Sequence, residues 1–158
     1  MSATNASNTS GFPATTASDN VEHRDWSRYL IAAPEAAEIV REALAAGRTD
    51  TAVRWLTEAV AHLIKGHDED LPDGMFEEPA TTGDRKWDVL LATAFLYAAN
   101  LCGVPARAWM HAERLNEEWL YGGDGHESEE YRAFVRGETP AVFLDRDILT
   151  RPRDSVNI

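Results

Sequence analysis

Histidine is the side chain best suited to acid and base work near neutral pH, and the chain has five: His23, His62, His67, His111 and His126. They are scattered. No HExxH, paired CxxC or mixed Cys/His spacing gathers ligands on one face of a helix, so the sequence offers no support for zinc or any other metal. Carboxylates are densest over residues 66–84, GHDEDLPDGMFEEPATTGD, which hold seven acidic residues and no Lys or Arg. Counted from Asp68 as a calcium loop, this stretch places Pro72 fifth, Asp73 where glycine is needed, and Pro79 where a bidentate Glu is needed, so it fails as an EF-hand. His67 with Asp68 and Asp70, or His111 with Glu113 and Glu117, could serve as acid and base, which defines an enzyme reading with a site between the acidic loop and His111. Histidines beside carboxylates are, however, ordinary in a chain this acidic. Nucleophiles have less support: the single cysteine, Cys102, lies in an apolar run, and no serine sits in a GxSxG elbow. Neither GxxxxGK[ST] nor GxGxxG occurs, and Gly122-Gly123-Asp124-Gly125 lacks the strand before it and the helix after it that a phosphate cradle uses. No catalytic, cofactor-binding or metal-binding residue is assigned.

Charge points elsewhere. Fifteen Lys and Arg against 27 Asp and Glu leave a formal charge of -12, which repels phosphate backbones and anionic lipid and favours a basic protein partner. The candidate partner-binding carboxylates are Asp68, Glu69, Asp70, Asp73, Glu77 and Glu78, with Phe76 and Trp55 as exposed apolar anchors. The competing reading is a solvated loop whose Leu71, Met75 and Phe76 are tacked to the core. No apolar run reaches the length of a membrane span, and the N-terminus has neither the basic start nor the apolar core of an export signal, so the expected location is the cytoplasm.

The elements that must position these residues are helical. Pro34 at a helix start, apolar residues at three- and four-residue spacing, and Gly47 just past the end predict a helix over 34–46. Thr49 or Asp50 can cap a second over 50–65, with Gly66 ending it. The Gly47 corner is a packing hairpin or, as an alternative, the corner of a small DNA-binding transcriptional regulator, although Arg54 beside Glu58 is poor equipment for reading bases. The longest apolar stretch follows Thr82-Gly83-Asp84 and stops at Gly103 and Pro105, predicting a central helix over 85–102 that is apolar on most sides. Short helices are expected between Val104 and Leu120, another from Ser128 that Gly137 stops, and a last one after Thr139-Pro140, with Ile148 and Leu149 extended or irregular. The expected fold is all-α, a compact single-domain bundle of five to seven helices around the central one. Residues 1–20 form a disordered tail, 21–150 the helical domain and 151–158 a frayed tail.

The run TGDRKWDVLLATAFLYAANLCGVPARAW resembles a helical domain, common in actinobacteria, that reads roughly TGDxRWDALLAAL followed by GxPxPAW and often follows a helix-turn-helix module. The similarity continues through Leu115 to Trp119 and TPAVFLDRDIL. The resemblance implies an antitoxin-type partner of nucleotidyltransferase-like toxins, acting by a neutralising protein contact. The chain departs from the pattern in having no evident helix-turn-helix region, which weighs against DNA binding and autoregulation.

From the charge follows a first prediction: the isolated chain does not bind DNA or RNA at physiological salt. Salt-sensitive binding below micromolar protein in an anisotropy titration would reveal a basic patch and favour the regulator.

Overall fold

The computed structural model describes residues 30–66, 71 and 74–151. The expected N-terminal tail, the loop carboxylates Asp68, Glu69, Asp70 and Asp73, and residues 152–158 lie outside that set.

Helix α1 (Ala33–Ala45) begins at Pro34, whose fixed φ suits the first turn, and buries Ala33, Ala36, Ala37, Val40 and Ala43. Such small side chains let a second helix approach closely. Gly47, at φ +72°, turns the chain through the left-handed region into α2 (Thr49–Lys65), which packs against α1 and buries Leu56, Val60 and Leu63. The expected cap from Thr49 or Asp50 does not form. Arg48 takes the cap position because its N–H returns to Ala43 O (2.8 Å) in the tight turn, and Asp50 falls in the first turn, where its charge favours the helix dipole.

Helix α3 (Arg85–Cys102) is the central element, with Trp87, Leu90, Leu91, Phe95 and Ala98 among its buried residues. Asp84 caps it, accepting from the N–H groups of Lys86 (2.8 Å) and Trp87 (3.3 Å). Asp88 then fastens the preceding loop to the helix, accepting from Thr81 Oγ1 (2.5 Å), Thr82 N–H (2.7 Å) and Thr82 Oγ1 (2.6 Å). Gly83 sits at φ +92° between them. At the other end Gly103, in the left-handed conformation, closes the helix. The last turn emerges from the core: Leu101 is 53 % exposed and Cys102 only half-buried, where both were expected on the buried stripe.

The expected short helices between Val104 and Leu120 reduce to one 3-10 turn at Ala108–Met110. Instead, β1 (Trp119–Leu120) pairs in parallel with β2 (Ile148–Leu149), Trp119 opposite Ile148 and Leu120 opposite Leu149. A long-range clamp decides this. Asp147 receives the Arg114 guanidinium fork (Nε 2.8 Å, Nη2 2.5 Å) and the Asn116 N–H (2.7 Å), and both Asn116 and Asp147 have positive φ, which breaks any helix there. Between the strands lie α4 (Glu129–Glu138), capped by Ser128, and the single-turn α5 (Ala141–Leu144). Gly137 does not stop α4. The helix runs on to Glu138 and ends because Pro140 forces Thr139 out of helical geometry. The described chain is mostly helical, five α-helices with this one two-residue pairing.

Leu91, 2 % exposed, is a filled position, so Leu91→Ala should lower stability by ~2–5 kcal/mol, and Asp84→Ala by ~1 kcal/mol through its lost cap. Chemical denaturation measures both; an unchanged Leu91→Ala midpoint would remove α3 from the centre.

Candidate functional site

Of the residues singled out by sequence, His67, Asp68, Glu69, Asp70 and Asp73 lie outside the described residues, and Trp55, Phe76 and His111 share none of the described clefts. Phe76 is corrected outright: it is 6 % exposed, its ring meets Phe95 edge-on at 6.5 Å, and its carbonyl accepts from Trp109 Nε1 (2.8 Å), so it belongs to the core and is no exposed anchor. The solvated-loop reading had it tacked there. Glu77 and Glu78 are exposed, and Trp55 is 36 % exposed on α2. His111, Glu113 and Glu117 are all exposed and line none of the described clefts. Among the described residues no group of three His, Cys, Asp or Glu could hold a metal, and no helix is long and apolar enough to cross a membrane.

What the structure does form is a cleft of about 840 Å³ between α2, the glycine turn after β1, and α4. Tyr121 makes its floor. The ring is held edge-on by Trp87 (5.8 Å), and the hydroxyl donates to Val53 O (3.0 Å) and lies 3.1 Å from Thr57 Oγ1, tying the turn to α2. Gly122 to His126 then fold over the Glu127 carboxylate, whose Oε2 accepts from the N–H groups of Asp124 (2.7 Å) and Gly125 (3.2 Å). Gly123 is required by this closure, since a Cβ there would stand 2.3 Å from Glu127 Oε2. The turn amides are therefore spent on the protein's own carboxylate and do not form an anion cradle. The His126 N–H, bonded to Asp124 Oδ1 (2.9 Å), holds the Asp124 carboxyl below its ordinary range.

Two polar atoms in the cleft wall are left over. Thr150 is 2 % exposed and donates its N–H to Thr139 Oγ1 (3.1 Å), while its own Oγ1 has no hydrogen-bond partner. Glu127 Oε1 also lacks one; only Arg132, at 3.6 Å, pairs with it by charge. Such buried, unmet groups are uncommon and mark places where a ligand or water can bind. At the rim, Tyr131 is 42 % and its neighbour Phe134 49 % exposed, with rings 6.3 Å apart. Sequence reasoning passed over the whole cleft. The glycine run reads as a mere break, and its only signal is a Glu placed to receive its amides. Comparison with protein-family models, curated proteins and solved structures finds no match to this chain.

Beside the cleft, ion pairs brace α4 and β1. Glu118 accepts from Arg136 (Nε 3.0 Å, Nη2 2.9 Å) and Arg132 (3.0 Å), and Arg136 chiefly holds its pKa down; Arg114 does the same for Asp147. A carboxyl with a lowered native pKa binds fewer protons folded than unfolded, so it stabilises above the unfolded value, about 4, and that contribution disappears as pH falls through the native pKa. Stability should thus decline on acidification below about pH 4, with a shallower decline in Asp147→Asn. Denaturation across a pH series tests this, and equal slopes for both proteins would uncouple Asp147.

Proposed function

We propose that this chain is a non-enzymatic, acidic protein-binding module, an antitoxin-type neutraliser of a nucleotidyltransferase-like toxin. The observation that carries the reading is the net charge of -12 on a small domain that leaves Trp55, Tyr131 and Phe134 at its surface. Opposite charge across an interface speeds encounter, whereas large aromatics govern how long partners stay together. The likeness of its TGD-to-PARAW stretch to the toxin-associated helical domain supplies the class of partner. Asp68, Glu69, Asp70 and Asp73, with the exposed Glu77 and Glu78, supply the attracting charge, and Trp55 remains as an apolar anchor where Phe76 does not.

Co-expression with a nucleotidyltransferase-like toxin encoded beside it should give a stable complex and relieve growth arrest. Changing Asp68, Asp70 and Asp73 together to Asn should slow association and flatten its salt dependence, while Trp55→Ala should mainly speed dissociation, by ~2 kcal/mol if it is a hot spot. A toxin that neither binds the purified chain nor loses activity in its presence overturns the reading.

A further inference from the structure

We propose that α4 and the adjoining cleft form the docking face for an arginine- or lysine-bearing peptide segment of the partner, with a basic side chain seated in the cleft. This rests on the protein-binding reading above and names where the partner sits and by what chemistry. Helix α4 buries only Val135, yet Tyr131 and Phe134 lie side by side on its outer surface, their rings tilted by 34°. Adjacent exposed aromatics on a helix otherwise dominated by charge are poorly explained as a solvated face.

The chain itself shows how this surface takes a guanidinium. Arg151 lies 5.3 Å from the Phe134 ring centroid while its Nε donates to Glu138 Oε1 (3.0 Å), so one cation is held by a ring and a carboxylate together. Tyr131, on the cleft side and 42 % exposed, offers a second ring face to a cation. Deeper in, Thr150 Oγ1 has no hydrogen-bond partner and Glu127 Oε1 has only the charge of Arg132 at 3.6 Å, and a guanidinium or ammonium brings several donors at once. Asp124 and Glu58 add negative charge to the lining. Two cations also line it: Arg54 stands on the α2 side one turn from Glu58, and Arg151 is held by Glu138, while the closed glycine turn leaves no amide nest for an anion.

The test uses the full chain, labelled with ¹⁵N and titrated with the capped peptide acetyl-Arg-Gly-Arg-amide, with acetyl-Glu-Gly-Glu-amide as the control. Saturable shifts confined to residues 122–135 and 150–151, seen with the arginine peptide alone, are expected, and Tyr131→Ala should weaken binding about 3- to 10-fold. No saturation, equal response to the acidic peptide, or shifts mapping elsewhere overturns the docking face. The two readings fail separately. A toxin complex whose dissociation is unchanged by Tyr131→Ala removes this face and leaves neutralisation standing, whereas peptide binding at α4 without any toxin complex upholds the face and removes neutralisation.

Discussion

Burying α3 on most of its sides is the constraint on which the structure depends. The amides of its first turn still require partners, and the chain supplies them from within. That requirement accounts for the stretch from Thr82 to Asp88 almost residue by residue. Asp84 meets the first amides, Thr82 and Asp88 lock the approach, and Arg85 reaches across to the carbonyls of Arg114 (2.8 Å) and Leu115 (3.3 Å). Trp87 then fills the core and meets Trp119 at 5.7 Å and Tyr121 at 5.8 Å. The cleft floor is in this sense suspended from the first turn of α3. The residues from Thr82 to Asp88 are thus occupied with architecture.

What could be read from the sequence and what could not divide along one physical line. Helices α1, α2 and α3 announce themselves because their periodicity and stop signals are local: Pro34, Gly47, Asp84 and Gly103 each act within a turn of their own position. Between Val104 and Leu120 the deciding partners are far away in sequence. Nothing near Arg114 or Asn116 indicates that Asp147 will hold both, so a pattern of apolar and charged residues suitable for short helices becomes a loop and a strand.

The aromatics show the same division. Phe76 stands in an acidic run that invites an exposed reading, and only Phe95 and Trp109 draw it inside. Tyr131, Phe134 and Val135 have helical spacing, but α4 is short and presents a single buried position, so the two rings stay outside. Trp55, expected as an exposed anchor, is 36 % exposed on α2. The cleft was illegible because its walls come from α2, the glycine turn, α4 and the residues after β2, and no single stretch of sequence contains it.

The parallel pairing of Trp119 with Ile148 and Leu120 with Leu149 also has an evolutionary side. It brings the two ends of the 121–147 excursion together and fastens them, with the Asp147 clamp beside the knot. Because the cost of closing a loop rises only slowly with its length, a segment tethered at its base can lengthen, shorten or exchange its exposed side chains with little penalty to the body that holds it. Helix α4 is thus mounted like an interchangeable bit in a fixed chuck. The exposed positions of that excursion can be rewritten while Tyr121 and Phe143 within it stay packed in the core with α2 and α3.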